Sequence, residues 1–211
     1  MTQVDTLMAI APVIPVVTLR SVDHAAPLAR ALLEGGIRIV EVTLRTPAAL
    51  GSIERMARDF PDLSVLAGTV CNEAQALDAM QAGAAGLVSP GLTYSLAVAV
   101  QSARFPWLPG IATASDIMRG MDLGLARFKL FPATMVGGPA ALRAFAGPFP
   151  ELRFCPTGGI DLETAPDYLA LANVACVGGS WVATEALMHA GDWDSIRENA
   201  RLAAQLGHPR T

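Results

Sequence analysis

Lysine is almost absent from this chain of 211 residues. Lysine and arginine together number 15, and 14 of these are arginine, so Lys129 is the only lysine. A codon bias toward arginine is one explanation for the missing surface lysines. Arginine, however, cannot replace the primary amine of lysine when that amine must attack a carbonyl carbon. Chemistry of that kind therefore depends on Lys129 or on the N-terminus.

Several classes of function are excluded by other features that the sequence lacks. The net charge is −4 and no basic block is present, so we expect no nucleic-acid partner. The histidines lie far apart, which predicts no metal site. The chain has three cysteines, which is an odd number, and they have no C-x-x-C spacing. This argues against a disulfide framework and for a cytoplasmic location. We interpret all of them as small buried hydrophobic residues: Cys71, Cys155 and Cys176.

No segment is predicted to cross or enter a membrane. The longest run without charge, residues 79–103, contains Gly83, Gly86 and the turn sequence Ser-Pro-Gly at 89–91. These breakers predict a helix end, a strand, a turn and a second helix in place of one long span. The apolar stretch 7–19 follows an acidic residue and includes two prolines, so we expect no signal peptide.

A short β-rich run followed by a helical stretch repeats along the chain at intervals close to one βα unit. This alternation predicts an α/β protein with a parallel sheet. We expect a small (β/α)8 TIM barrel, one domain over 1–211, with an extra N-terminal helix at the bottom. A doubly wound open sheet is the alternative, but no G-x-G-x-x-G follows the first strand. The predicted strands are 14–20, 37–45, 63–70, 86–92, 105–112, 126–134, 152–160 and 174–182.

From Val40 onward, the second predicted strand carries charge on one face only. Val40, Val42 and Leu44 share one face, whereas Glu41, Thr43 and Arg45 share the other. Because the apolar face must cover the helices, we expect the charged face to point into the barrel. A half-exposed strand is the alternative, although strands of a parallel sheet are normally covered on both sides.

Lys129 lies in the middle of an apolar strand, between Phe128 and Leu130. Burial disfavours the charged ammonium, and a neutral amine attacks carbonyl groups to form Schiff bases. A purely structural lysine that pairs with a buried acid such as Glu41 is an equally weighted alternative at this point.

Two glycine pairs lie at the ends of the seventh and eighth predicted strands, in CPTGGI and VGGSWV. Glycines allow backbone N–H groups to approach an anion closely, and phosphate sites in barrels of this kind often use these two loops. We therefore predict a phosphate site, with Arg20 either reaching the same anion or lying on the surface. The candidates are Thr157, Gly158, Gly159, Gly179 and Ser180.

The motifs EVTLRT, AGTV, SPGL, FKLFPA, FCPTGG and GGSW, in this order and spacing, resemble the KDPG aldolase family over essentially the whole chain. The family's substrate is 2-dehydro-3-deoxy-6-phosphogluconate, and its members also act on 4-hydroxy-2-oxoglutarate. The resemblance implies a class I aldolase, without metal or cofactor, on a (β/α)8 barrel and usually a homotrimer. It would cleave the phosphorylated 2-keto acid of the Entner–Doudoroff pathway to pyruvate and glyceraldehyde 3-phosphate.

The resemblance also implies a role for each matching residue. Lys129 would form the Schiff base and Glu41 would act as acid and base through a water molecule. Arg45 and Thr69 would meet the pyruvate carboxylate, with Pro90 and Phe131 lining the pocket and Thr157 near the substrate. The phosphate would bind at Gly158, Gly159 and Ser180, with Arg20 as a further candidate.

Three other functions stay open at this point. The first is a 2-dehydro-3-deoxy-6-phosphogalactonate aldolase, although Thr-Leu-Arg after Glu41 differs from the Pro-Leu-Asn-like pattern of those relatives. The second is a phosphate-binding barrel isomerase or synthase that uses Lys129 only as a cation. The third is a phosphosugar-binding module without catalysis.

Overall fold

Strands and helices alternate along the chain in the computed structural model, which describes residues 2–207. The strands are β1 Val13–Val17, β2 Ile39–Thr43, β3 Ser64–Gly68, β4 Gly86–Val88, β5 Trp107–Leu108, β6 Gly110–Ile111, β7 Arg127–Leu130, β8 Arg153–Phe154 and β9 Val177–Gly179. The helices are α1 Gln3–Met8, α2 Ala25–Glu34, α3 Ala49–Asp59, α4 Glu73–Gln81, α5 Tyr94–Ser102, α6 Ala114–Asp122, α7 Gly138–Ala146, α8 Ala165–Leu169, α9 Glu185–Ala190 and α10 Trp193–Ala204. Each predicted strand region overlaps an observed strand, and the fifth contains two because Pro109 separates β5 from β6.

All strand pairs are parallel, which confirms the predicted α/β class. Six strands form one sheet in the order β5-β4-β3-β2-β1-β9, and three form a second sheet in the order β6-β7-β8. The sheets approach each other at two places. β5 and β6 are separated by one residue, and isolated parallel bridges join Phe154 to Val174 and Thr157 to Gly178.

The strands are covered on both sides, as expected for a parallel sheet. All five residues of β2 are buried, and so are the apolar side chains of α2 that face the sheet, such as Leu28 and Leu32. Phe128 of β7 shows which strand face meets the helices. A Cβ atom at Gly120 of α6 would lie 2.6 Å from Phe128 Cζ, so this ring packs directly against the helix backbone. Side chains of opposite parity, including Lys129, therefore point away from the helix layer.

The predicted N-terminal helix is present and covers the beginning of several strands. Thr2 and Asp5 form a capping box at the start of α1, and Met8 is buried. Asp5 also forms an ion pair with Arg127, the first residue of β7. Leu7 lies against Gly86, the first residue of β4. The helix thus packs at the amino ends of the strands, opposite the side where the loops after the strands lie.

Within residues 2–207, no helix is both long enough and apolar enough to span a lipid bilayer.

Candidate active site

Lys129 and Glu41 form a buried ion pair, although their strands are not neighbours in either sheet. Lys129 Nζ donates to Glu41 Oε1 at 3.0 Å and to Oε2 at 3.1 Å. Their side chains are only 6% and 5% exposed. The ammonium also lies 5.4 Å from the centre of the Phe131 ring, within the range of a cation–π interaction. The prediction that Glu41 and Thr43 lie in the interior is confirmed, whereas the prediction for Arg45 on the same face is wrong, and Lys129 is buried, as its place in an apolar strand suggested.

Taking two charges out of water carries a desolvation penalty of several kcal/mol per ion. The attraction between the two charges offsets this penalty only when the geometry is good. Here Lys129 Nζ lies 3.0 Å and 3.1 Å from the two carboxylate oxygens of Glu41. A proton can also move between amine and carboxylate over 3.0 Å, which would yield a neutral amine next to a carboxylic acid. A buried pair of this kind is chemically able to supply a nucleophile and its proton acceptor.

Gly68 makes space for the Glu41 side chain. It pairs with Thr43 in the ladder between β2 and β3. A Cβ atom at position 68 would lie 2.6 Å from Glu41 Cγ and 2.8 Å from Cδ. Such separations are far below van der Waals contact, so any larger residue at this position would displace the carboxylate. The AGTV motif thus has a structural reason for its glycine.

Thr69, the next residue, has an unusual backbone conformation. Its φ angle is +61°, in the left-handed region that a β-branched residue rarely adopts. Strained backbone of this kind persists only where the surrounding structure enforces it, and it is concentrated at functional sites. The outlier therefore supports a functional interpretation of Thr69, which is half-buried directly after β3.

Arg45 and Pro90 follow other strands of the same sheet. Arg45 lies two residues beyond β2, and its side chain is exposed. The structure therefore does not bring the guanidinium into contact with the ion pair. Pro90 is half-buried after β4, and its carbonyl group packs against Gly110 of β6. This contact brings the loop after β4 close to the strand that pairs with β7.

The glycine pairs after β8 and in β9 lie side by side. Thr157, which is buried, bridges to Gly178, and a Cβ atom there would lie 2.8 Å from Thr157 Cγ2. Gly158 and Gly159 have positive φ angles of 106° and 74°, which only glycine adopts without strain. Gly179 is covered by the indole ring of Trp181, and Ser180 between them is exposed. The two loops predicted to bind phosphate are thus adjacent in space.

Arg20 has a carboxylate partner that the sequence did not indicate. Its Nε donates to Glu185 Oε2 at 2.7 Å, and both side chains are substantially exposed. Because β1 and β9 are neighbours, the segments after these strands leave the sheet at the same edge. Arg20 therefore lies at the edge of the sheet that also carries Ser180.

Two groups of interior polar residues were not predicted as part of the site. The hydroxyl oxygens of Thr18 and Thr43 are 2.8 Å apart, and Thr43 Oγ1 also donates to Val17 O. Thr43 shares the strand face of Glu41, so alternation along the strand was the signal that could have identified it.

Cys155 and Cys176 form the second group. The neighbouring Cys155 thiol together with burial raises the pKa of Cys176 well above its usual value.

The interpretation of the cysteines needs one correction. Cys155 and Cys176 are buried, as predicted, but Cys71 is exposed. It follows the β3 strand at the beginning of the loop that leads into α4, where its backbone N–H donates to Gln75 Oε1. This loop has no periodic pattern of residues from which the exposure of Cys71 could be inferred.

The histidine, cysteine, aspartate and glutamate side chains of residues 2–207 do not form a group of three or more that could hold a metal ion. His208 lies outside the described residues.

A primary amine buried beside a carboxylate inside a parallel α/β fold is the arrangement that an enzyme acting through an amine requires, which makes an enzyme of this class the leading interpretation of the site. The model of the protein family described as KDPG and KHG aldolase matches residues 4–199 of this chain. The chain therefore belongs to the KDPG and KHG aldolase family, as its motifs predicted, and it is a lyase that cleaves a carbon–carbon bond.

Individual relatives agree with this assignment. The chain is 46% identical over 204 residues to the KHG/KDPG aldolase of Escherichia coli (strain K12), covering 97% of this chain and 96% of that protein. It is 47% identical over 202 residues to the 2-dehydro-3-deoxy-phosphogluconate aldolase of Dickeya dadantii, covering 96% and 95%. The crystal structure of KDPG aldolase from Legionella pneumophila, with pyruvate captured as a covalent carbinolamine, superimposes with a TM-score of 0.95 at 43% identity and covers 97% of this chain and 99% of that one.

Proposed function

We propose that this protein is a class I aldolase that cleaves 2-dehydro-3-deoxy-6-phosphogluconate to pyruvate and glyceraldehyde 3-phosphate, and that it also cleaves 4-hydroxy-2-oxoglutarate. The observation that carries this proposal is the buried pair of Lys129 and Glu41, with the amine 3.0 Å from the carboxylate. The names of the E. coli and D. dadantii relatives support the choice of substrates. The carbinolamine captured in the L. pneumophila enzyme supports covalent catalysis through an amine.

In this mechanism Glu41 first accepts a proton from the Lys129 ammonium, and the neutral amine attacks the C2 carbonyl carbon of the substrate. The resulting carbinolamine loses water, assisted by proton transfer from Glu41 through a water molecule, to give a protonated imine. This cation withdraws electrons from the C3–C4 bond. Glu41 then takes the proton of the C4 hydroxyl, the bond breaks, and the aldehyde leaves.

The electrons of the broken bond remain on the lysine adduct as an enamine. Protonation at C3 regenerates the imine, and addition of water at C2 releases pyruvate and the free amine of Lys129. Every proton that is removed is returned, so the cycle needs no metal or cofactor. Burial of the pair serves this cycle because exclusion of bulk water strengthens the electrostatic interactions between the iminium and Glu41.

The same proposal assigns the surroundings of the pair to substrate binding. Arg45 offers a planar pair of donors for the pyruvate carboxylate, and closing onto the substrate would require its exposed side chain to fold inward. Thr69 would contribute from its strained position. Pro90, Phe131 and Thr157 would line the pocket around the reacting carbons.

A phosphate site is proposed at the two adjacent glycine loops. The positive φ angles of Gly158 and Gly159 turn the backbone sharply, which brings N–H groups within reach of an anion. Gly179 and Ser180 would contribute from the neighbouring loop, and Arg20 from the end of β1. Thr157, which bridges to Gly178, would connect the phosphate site to the pocket around Lys129.

We further propose that the two sheets are parts of one (β/α)8 barrel in a single domain over 1–211. The one-residue break at Pro109 and the bridges at Phe154 and Thr157 support this arrangement. A homotrimer and a cytoplasmic location are proposed from the family resemblance and from the cysteine content of the sequence.

Trapping with borohydride tests the proposed chemistry. The protein is incubated with pyruvate, reduced with sodium borohydride and digested, and the peptides are weighed. We expect the mass of a reduced pyruvate adduct on the peptide that contains Lys129 and on no other. The variant Lys129→Arg is the control because it keeps the charge but cannot form an imine. An unmodified Lys129 peptide in the active enzyme would refute the proposal and favour a barrel isomerase or synthase.

A further inference from the structure

The ion pair between Arg20 and Glu185 joins two segments beside the candidate phosphate loops. Arg20 lies three residues beyond β1, and Glu185 is the first residue of α9, which follows the loop that begins at Ser180. Pro15 of β1 is opposite Gly179, the last residue of β9, so β9 ends two residues before β1 at the same edge of the sheet. The contact of 2.7 Å between Nε and Oε2 places a carboxylate directly on the guanidinium proposed to bind phosphate.

We propose that Glu185 lowers the preference of this enzyme for a phosphorylated substrate over an unphosphorylated one by occupying and partly neutralising Arg20. This inference rests on the proposed function, in which Arg20 belongs to the phosphate site. A phosphate dianion that binds the guanidinium must either displace the carboxylate from Nε or lie next to its negative charge. Both effects weaken the binding of phosphate.

The unphosphorylated substrate is less affected by Glu185. 4-Hydroxy-2-oxoglutarate has five carbons and ends in a carboxylate at C5, which carries one negative charge and lies nearer the reacting carbons than a phosphate dianion on C6. Glu185 therefore affects the two substrates differently and acts as a residue that sets specificity. Because the side chains of Arg20 and Glu185 are 73% and 47% exposed, the effect is modest and is screened by salt.

The variant Glu185→Gln isolates the charge, because the amide oxygen still accepts a hydrogen bond from Arg20 Nε. We expect the ratio of kcat/KM for the phosphorylated substrate to that for 4-hydroxy-2-oxoglutarate to rise roughly threefold to tenfold at low ionic strength. The rise should shrink when salt is added. A ratio that is unchanged or lower than in the wild type would overturn the inference, since a lower ratio would mean that Glu185 helps phosphate to bind.

Glu198→Gln is the matched control. Glu198 lies on α10, is 54% exposed and accepts from Arg201 Nη2 at 2.6 Å, so its substitution removes the same charge from a similar surface pair. We expect this variant to leave the substrate ratio unchanged. An equal rise in both variants would mean that only the net charge of the protein matters, which would also overturn the inference.

A double variant tests whether Glu185 acts through Arg20. In Arg20→Gln the substrate ratio should fall, and adding Glu185→Gln to it should give a smaller gain than in the wild-type background. An equal gain in both backgrounds would contradict the proposed route. If the wild-type enzyme cleaves neither substrate and forms no adduct at Lys129, the proposed function fails with the inference. If it cleaves both but the Glu185→Gln ratio does not rise, only the inference fails.

Discussion

Gly68 lies directly against the side chain of Glu41, and no atom larger than hydrogen fits on its α-carbon. A Cβ atom at this position would lie 2.6 Å from Glu41 Cγ. Since Glu41 itself contacts Lys129 at 3.0 Å, the absence of a side chain at one residue determines the position of the carboxylate at the other. The geometry of the ion pair thus depends on a neighbouring strand that supplies no polar side chain to it.

We predict that Gly68→Ala reduces kcat by about tenfold or more while the protein still folds. The methyl group forces the Glu41 carboxylate away from Lys129, and a displacement near 1 Å in a catalytic group costs on the order of 100-fold in rate. Steady-state kinetics with circular dichroism as the test of folding would measure this. Gly147→Ala is the control, because its Cβ atom would meet only Ala144 O at 3.9 Å. Normal kcat in Gly68→Ala would contradict the prediction.

Much of the fold could be predicted from the sequence because the strand signals are local. Each apolar run lies within one βα unit, and a parallel strand covered on both faces must be apolar wherever it meets the helices. Alternation along the strand then placed Glu41 and Lys129 in the interior. The same argument failed to place the side chain of Arg45 because β2 ends at Thr43, and alternation has no meaning beyond the end of a strand.

The contacts that could not be predicted all join residues distant in sequence. The packing of Gly68 on Glu41, the partner of Arg20 and the hydrogen bond between Thr18 and Thr43 depend on how neighbouring strands align. Register within a sheet is set by packing over the whole domain, so no local pattern specifies it. The unusual φ angle of Thr69 could not be predicted either, since threonine itself disfavours that conformation.

Removal of one charge from the buried pair should destabilise the protein more than removal of both. We expect Glu41→Leu or Lys129→Met to lower the free energy of unfolding by about 3–5 kcal/mol, because each leaves an unpaired buried charge. The double variant Lys129→Met with Glu41→Leu should recover much of this loss but no activity. Urea denaturation monitored by fluorescence would measure the three values. A double variant less stable than either single one would show that the pair stabilises the fold directly.

The strained backbone of Thr69 should lower the stability of the fold, while its side chain should contribute to substrate binding. We predict that Thr69→Gly is as stable as the wild type or up to about 1–2 kcal/mol more stable, because glycine adopts the left-handed backbone without strain. The same variant should have a higher KM for the substrate, since the hydroxyl proposed to meet the carboxylate is gone. Thermal unfolding and steady-state kinetics would test both parts. Arg104→Gly is the control, because Arg104 also has a positive φ of 50° but is exposed at the end of α5.

For that control we expect a similar change in stability with no change in KM. If both variants were less stable than the wild type by the same amount, the greater chain entropy of glycine in the unfolded state would outweigh the strain. If Thr69→Gly retained the wild-type KM, the proposed contact between Thr69 and the substrate would be refuted.

The ion pair of Asp5 with Arg127 should make stability depend on pH in the acid range. Burial alone would raise the pKa of Asp5, but hydrogen bonds from Arg127 and Thr2 outweigh it and hold this pKa below the ordinary value of 3.8. Because the pKa is lower in the folded state, the ionised carboxylate stabilises the fold above pH 3.8. That contribution is lost as the pH falls through the folded pKa. The difference in unfolding free energy between the wild type and Asp5→Asn should therefore be on the order of 1 kcal/mol near pH 6 and should vanish toward pH 2.

Chemical denaturation at several pH values would measure this difference. Asn at position 5 can still accept the hydrogen bond from the Thr2 backbone with its amide oxygen, so the helix cap is retained, and the variant loses the charge together with the hydrogen bond from Arg127. Asp62→Asn, at an exposed turn before β3, is the control, and its stability should follow that of the wild type across the range. Because Arg127 begins the strand that carries Lys129, a loss of activity in Asp5→Asn that parallels its loss of stability would show that α1 also holds β7 in position. A difference between the wild type and Asp5→Asn that does not change between pH 6 and pH 2 would contradict the assigned role of the Asp5 charge.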